Sequence, residues 1–234
     1  MDEFGKSTLM LRFAAPLQSW GSSSRFNIRM SEREPTKSGT IGLIASAMGR
    51  RRDESIEDLR DMRFGVRIDQ PGDMLRDFQT AHTFDEKQSF ISHRYYLADA
   101  VFVVGLEASN TLLGTIENAI RHPAFPLFLG RRSCPPVGTL VLGIREGISL
   151  ETALCNESWR ASAWYRKRQE RDVSLEIVLD AEINDKGAFT RNDTPLSFDQ
   201  KYRRYGSRGA VSKYAEVQIR NPEGRFVHDA MRGL

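Results

Sequence analysis

The chain has 234 residues, 40% of them hydrophobic and 28% charged, and a formal net charge of only +3. This length and composition predict a folded globular protein of one large or two small domains, and they exclude a largely disordered chain. No apolar run approaches the roughly 18 residues of a membrane-spanning helix, and the start "MDEFGKS" lacks the basic and apolar parts of a signal peptide. We therefore expect a cytoplasmic protein with no membrane partner.

Cysteine and arginine usage narrow the class of protein further. The two cysteines, Cys134 and Cys155, are too few for a disulfide framework or a structural zinc site. The sequence has neither a metal-ligand cluster nor a glycine-rich dinucleotide loop, so we expect no metal and no cofactor. Of the 34 basic residues, 27 are arginine, whose planar guanidinium binds phosphates and stacks on bases. This preference points to a nucleic-acid partner more than the small net charge does.

The first predicted elements are a strand, a helix and a second strand. Residues 8–16, "TLMLRFAAP", alternate between two faces and predict a strand that ends at a proline. After a loop, the stretch behind Pro35 carries apolar residues at helical spacing as far as Met48, which predicts a helix. "RFGVRID", residues 63–69, predicts the next strand.

The following elements complete a ferredoxin-like order. "AVFVVGLEA" (100–108) is apolar on both faces, which is typical of a covered central strand. A capped helix is predicted over 109–123 and a fourth strand over 139–145. The order β-α-β-β-α-β is that of the α+β ferredoxin-like, or RNA-recognition-motif-like, fold, which we assign to residues 1–148. Because the third strand lacks the aromatic residues that stack bases in RNA-recognition motifs, RNA would bind through loops.

Residues 149–234 are less periodic and predict a smaller β-rich C-terminal lobe. Strand candidates are "VSLEIVLDAEI" (173–183) and "YAEVQIR" (214–220), and the stretch "NDKGAFTRNDTP" (184–195) between them is rich in turn-forming residues. Basic and aromatic residues alternate over 201–205. This pattern is compatible with an RNA-facing surface and equally with a protein-facing one.

Residues 35–39, "PTKSG", open the first predicted helix, where unpaired backbone N–H groups attract anions. They do not form a nucleotide-binding P-loop, because the upstream glycine of that motif is absent. Lys37 and Ser38 suit contacts with RNA phosphates. The alternative is that these small residues cap the helix and allow it to pack closely.

Five stretches carry a resemblance to a known family: "LRFAAPLQSWG", "PTKSGTIGLIASAMG", "LRDFQTAHTF", "HRYYLADAVFVVGLEA" and "FPLFLGRRSCPP". In this order and at these separations they resemble the CasD proteins, the RAMP-type Cascade subunits of type I-E CRISPR systems. The resemblance covers roughly the first 145 residues, and the later stretch "DTPLSFDQKYRRYGSR" is similar to the basic close of many members.

The resemblance implies a non-catalytic subunit that serves antiviral defence. Such a subunit holds the upstream (5′) handle of the guide RNA, caps one end of the filament formed by the Cascade backbone subunit, and contacts the large subunit. The implied fold is a ferredoxin-like RAMP domain with a hairpin thumb, here about residues 70–98, and a smaller C-terminal part.

The resemblance also directs attention to particular side chains. Gln18 and Trp20 follow the first strand, where an amide can read a base edge and an indole can stack on an unpaired base. Trp20 as a lid on the core is the alternative. Gly130 permits a turn that would present the two arginines after it. The predicted RNA-binding residues are Gln18, Trp20, Arg25, Lys37, Ser38, His93, Arg94, Tyr95, Arg131 and Arg132.

A metal-independent endoribonuclease that processes precursor guide RNA is the rival interpretation. Attack by a 2′-hydroxyl needs a base, an acid and a cation. His82, His93, Tyr95 or Tyr96, and Lys37 supply these chemical types. The resemblance favours the binding role, because the type I-E branch assigns cleavage to another subunit.

Overall fold

The structure, a computed structural model, describes residues 6–21, 28–84, 88–182, 185–214 and 218–224. The strands in these ranges are β1 (Ser7–Ala14), β2 (Leu17–Gln18), β3 (Ile28–Arg29), β4 (Arg63–Gln70), β5 (Asp73–His82), β6 (Ser89–Ala98), β7 (Val101–Ala108), β8 (Val141–Arg145), β9 (Asp172–Ser174), β10 (Ile177–Asp180), β11 (Phe189–Ser197), β12 (Arg204–Lys213) and β13 (Gln218–Arg220). The helices are α1 (Lys37–Ala47), α2 (Glu57–Arg60), α3 (Asn110–Arg121), α4 (Leu150–Asn156) and α5 (Ala163–Arg166). The predicted strands and helices of the first half are confirmed.

A seven-stranded antiparallel sheet in the order β11-β12-β10-β4-β7-β1-β8 organises the molecule. β7 lies between β4 and β1, and its residues are buried on both faces as predicted. The chain is therefore α+β with a mostly antiparallel sheet.

Each face of this sheet has its own hydrophobic core. On one face, Leu9 and Phe102 belong to the cluster that also holds the apolar residues of α1 and α3. On the other face, Met10 and Val103 pack with residues of α4. Because neighbouring strand residues point to opposite faces, β1 and β7 each contribute to both cores.

The segment predicted as a thumb forms a long hairpin of β5 and β6. Its register runs without interruption from the Asp73–Ala98 pair to the His82–Ser89 pair. Most side chains of β5 are exposed, while Tyr96 and Leu97 anchor the base of β6 in the first core. Two short strands complete this second sheet, since β2 pairs antiparallel and β3 parallel with β6.

The C-terminal residues follow the sequence-based prediction only in part: β9 and β10 lie at the predicted strand 173–183, and β13 lies within 214–220. The stretch 184–195, predicted as turn-rich, contributes most of strand β11, and β12 was not predicted. β10 pairs with β4, so β10, β12 and β11 extend the main sheet beyond the predicted boundary at residue 148. Among the described residues, no helix combines the length and apolar character needed to cross a bilayer.

Candidate nucleic-acid interface

The N-terminus of α1 is capped by the protein's own side chains. Thr36 has extended backbone angles, and its Oγ1 accepts the Gly39 N–H at 3.2 Å. The Lys37 N–H donates to Asp193 Oδ2 at 2.9 Å. A carboxylate from β11 thus stands where a helix N-terminus would otherwise attract an external anion.

Lys37 is placed differently from the sequence-based expectation. Its ammonium is buried and pairs with Asp180 Oδ2 at 3.0 Å. Arg208 connects the same carboxylates, with Nη1 2.7 Å from Asp180 Oδ1 and Nε 2.7 Å from Asp193 Oδ1. Burial lowers the pKa of Arg208, but its bonds to Asp193 and Asp180 outweigh that effect and raise it. This network of four charged residues, in which Lys37 and Asp193 are buried, directs Lys37 into the protein, so the expected phosphate contact from Lys37 is corrected.

Gln18 and Trp20 are also corrected, because both are fully buried. Gln18 Nε2 donates to the Ala100 carbonyl at 2.7 Å, and Gln18 Oε1 accepts the Trp20 indole N–H at 3.2 Å. The Trp20 ring stacks on Phe13 with 5.4 Å between centroids. A Cβ on Gly39 would lie 2.8 Å from Trp20 Cε3, so the indole supports the first turn of α1 and is not available to a base.

An open groove of about 480 Å³ lies beside this first turn. Five parts of the chain form it: residues 19–21 after β2, the end of β3, the start of α1, the turn at Gly130, and the junction where the connection from β11 enters β12. Its lining includes Arg29, Ser38, Gly39, Arg131, Arg203 and Tyr205. Three guanidinium groups beside one helix end make a surface suited to a phosphodiester chain.

Arg131 reaches the groove because residue 130 is glycine. Gly130 has a φ of +87°, and a Cβ there would lie 1.6 Å from the Ser19 carbonyl oxygen. The guanidinium of Arg131 lies 4.6 Å from the Tyr96 ring centroid, and its Nη2 donates to the Arg29 carbonyl at 2.9 Å. Its Nη1 is also buried, so the guanidinium is held in place by contacts within the protein.

Arg131 also perturbs the Tyr96 phenol. Burial raises the pKa of Tyr96, but hydrogen bonds to Arg131 and Ser133 and the charge of Arg131 hold that pKa below its ordinary value. Arg132 is exposed and lies outside the groove lining. The turn therefore presents one arginine to the groove and not two.

The predicted hairpin residues divide between two faces of β6. Arg94 and Tyr96 share the face that Arg131 covers, and Arg94 stands opposite Arg29 in the parallel pairing of β3 with β6. His93 and Tyr95 belong to the other face, where the His93 ring contacts Arg76 Nη2 at 3.2 Å. Arg94 is thus on the groove side of the hairpin, and His93 and Tyr95 are not.

Of the remaining predicted residues, Ser38 lines the groove, with its hydroxyl 3.5 Å from Thr36 Oγ1. Arg25 lies outside the described residues.

The comparisons with known proteins place the chain in a family. Residues 8–211 match the family model described as CRISPR-associated protein (Cas_Cas5). The chain belongs to this family. It is 33% identical over 172 residues to the CRISPR system Cascade subunit CasD of Escherichia coli (strain K12), a match that covers 64% of this chain and 77% of that protein. The family predicted from five sequence stretches is therefore confirmed.

Solved structures resemble this CRISPR-associated chain as well. A chain of a CRISPR RNA-guided surveillance complex superposes with a TM-score of 0.74 at 29% identity, with 95% of both chains covered. A crystal structure of a Cas protein gives a TM-score of 0.62 at 31% identity and covers 90% of this chain and 95% of that one.

Sequence reasoning missed three groove residues of this CRISPR-associated protein. Arg203 and Tyr205 carried a signal, the alternation of basic and aromatic residues over 201–205, but it did not distinguish RNA from a protein partner. Arg29 carried no local signal, because only the fold brings it beside Arg131. Within the described ranges, no group of three or more histidine, cysteine or acidic side chains is arranged to hold a metal ion.

Proposed function

We propose that this chain is the Cascade subunit that binds the 5′ handle of the guide RNA and caps the backbone filament beside the large subunit, without cleaving RNA. Its membership of the CRISPR-associated family and its likeness to CasD and to a surveillance-complex chain support this role. The observation that carries the RNA contact is the groove of Arg29, Arg131 and Arg203 at the start of α1.

The arrangement of the first half supports a ferredoxin-like RAMP domain. The strands β1, β4, β7 and β8, first to fourth in that fold, occur in the sheet as β8-β1-β7-β4, with α1 and α3 on one face. The β5–β6 hairpin leaves this unit between the second and third strands, as a thumb does. We propose that the thumb contacts the neighbouring backbone subunit, since the half of the hairpin towards its tip exposes large apolar residues such as Phe78 and Phe90.

The positions of the candidate catalytic groups support a binding role. The Lys37 ammonium is held in an ion pair with Asp180, with only 8% of the lysine side chain exposed. His82 lies four residues beyond Phe78, the cross-strand partner of His93, which corresponds to about 13 Å along the strand. General acid–base catalysis needs its groups within hydrogen-bond reach of one substrate.

Two neighbouring arginines provide a matched test of the groove. Arg131→Ala should weaken binding of a single-stranded 5′-handle RNA and lower the slope of log affinity against log salt by about 0.7, the value for one phosphate contact on a single strand. Arg132→Ala removes the same charge from an exposed position outside the groove and should leave the slope unchanged. Equal effects of the two substitutions in filter binding across a salt series would contradict the groove as the RNA site.

The wider role is tested by purification of the tagged chain from its native host. We expect it to elute with guide RNA and other Cascade subunits, and the purified chain to leave a repeat-hairpin RNA intact with or without divalent metal. An RNA-free monomer would contradict the Cascade role. Cleavage at one defined position, abolished by His93→Ala, would establish the endoribonuclease instead.

A further inference from the structure

The end of the connection from β11 to β12 and the first residues of β12 form one wall of the groove. Arg203 directly precedes β12, and Tyr205 is the second residue of that strand. Both line the groove together with Arg29 and Arg131. The two walls are distant in sequence, so the groove exists only in the folded chain.

This wall is fixed to the rest of the molecule by packing and by charge. Phe198, in the connection itself, packs against the first core, and its ring lies 3.6 Å from the position of a Cβ on Gly42 of α1. At the start of β11, Arg191 pairs with Glu32 at 3.2 Å and also with Glu34. Such anchoring holds side chains in place before a ligand arrives, which lowers the entropic cost of binding.

Tyr205 is suited to stacking. Its side chain is 42% exposed. No other ring or guanidinium stacks on it within the described part of the chain. An exposed ring in a groove lined by arginines is suited to unpaired bases of any kind, because every base has a stacking face.

We propose that Tyr205 stacks on one unpaired base of the bound strand, while Arg203 contacts an adjacent phosphate opposite Arg131. This inference rests on the proposed function and adds the way in which the groove holds the RNA. The ligand class is single-stranded nucleic acid, because bases that are paired and stacked in a duplex cannot be splayed onto a ring. The C-terminal part of the chain thereby contributes a base contact and a phosphate contact to the binding site.

Base stacking gives a readout that phosphate contacts do not. A short single-stranded handle RNA, with 2-aminopurine placed at one position after another, should show fluorescence quenching on binding at the position that stacks on Tyr205. Tyr205→Ala should abolish this quenching and weaken binding by about five- to 150-fold, the range for the loss of one stacked base. Tyr205→Phe keeps the ring and should retain both.

Neighbouring residues serve as controls within the same full-length chain. Tyr202 is 70% exposed and lies outside the groove lining, so Tyr202→Ala should leave quenching and affinity unchanged. Arg203→Ala should lower the salt slope by about 0.7, whereas Arg204→Ala should not. Thermal unfolding of each variant verifies that its fold is intact.

The outcomes separate this inference from the proposed function. If Tyr205→Ala and Tyr205→Phe both bind with wild-type affinity and quenching while Arg131→Ala weakens binding, the stacking proposal is overturned and the RNA groove stands. If Arg131→Ala also leaves binding unchanged, both proposals are overturned. Loss of quenching in Tyr205→Ala with retention in Tyr205→Phe would establish the stacking contact.

Discussion

Asp193→Asn should destabilise the fold by about 3–5 kcal/mol, the usual cost of leaving a buried charge without its partner. The Asp193 side chain is 3% exposed and that of Arg208 is 11% exposed. Lys37 and Arg208 balance Asp180 and Asp193, so the network carries two charges of each sign. Asparagine can still accept the Lys37 N–H, but it leaves one excess positive charge inside the protein.

Chemical denaturation monitored by tryptophan fluorescence measures this loss as a shift in midpoint at constant slope. Asp61→Asn is the matched control, because Asp61 pairs with Arg60 at 3.2 Å but its side chain is 77% exposed. That variant should lose no more than about 0.5 kcal/mol. Asp193→Asn combined with Arg208→Met restores charge balance and should recover about 1–3 kcal/mol of the loss. Equal stabilities of the two single variants, or a double variant no more stable than Asp193→Asn, would refute the reasoning.

Three further predictions follow from other contacts. Trp20→Phe should lower the free energy of unfolding by about 1–3 kcal/mol, since Gln18 loses a hydrogen-bond donor, while RNA affinity stays unchanged; a selective loss of RNA affinity would contradict the core role. Gly130→Ala should lower the free energy of unfolding by more than the roughly 1–2 kcal/mol of a left-handed alanine, because the new Cβ also collides with backbone atoms. Gly147→Ala is the control: its φ is +65° but the space around it is open, so it should lose only that backbone strain. Burial raises the pKa of Glu157, but hydrogen bonds from arginine outweigh this effect and hold the pKa below 4.5. The stability that this carboxylate adds to the fold is therefore present above pH 4.5 and is lost as the pH falls through the lower pKa of the folded state. Glu157→Gln should remove this loss of stability in acid. If the free energy of unfolding depends on pH in the same way in the wild type and in Glu157→Gln, both below and above pH 5, the ion pairs of Glu157 are contradicted.

The strands and helices that could be predicted are those in which the pattern of apolar residues itself indicates which faces are buried. β7 is apolar on both faces and α1 follows helical spacing, so local sequence is sufficient for both. β11 could not be predicted, because Asn192 and Asp193 favour turns. They lie where the register with β12 shifts, and Pro195 stands on an edge strand that tolerates a missing N–H.

Parts of the candidate site could be predicted where a few neighbouring residues determine the local backbone geometry. Gly130 indicated a turn that presents the two arginines after it, and the structure places one of them, Arg131, in the groove. The placement of Lys37 was not predictable. Its carboxylate partner Asp180 lies 143 positions away, and Asp193, which caps its N–H, lies 156 positions away. Whether a cation faces solvent or a distant acid depends on tertiary structure that local patterns do not contain.

The cap that Asp193 places on α1 has a consequence for synthesis on the ribosome. The helix starts at residue 37, but the carboxylate that completes its first turn leaves the ribosome after most of the chain. Until β10 and its Asp180 have emerged, Lys37 lacks this counter-charge, and the edge of β4 that β10 later covers is open. Contacts of such sequence separation form slowly because a long loop must close first. Nascent chains that stall before residue 193 will therefore expose an unpaired strand edge and a lysine that the folded protein buries. We expect such chains to bind chaperones and to aggregate.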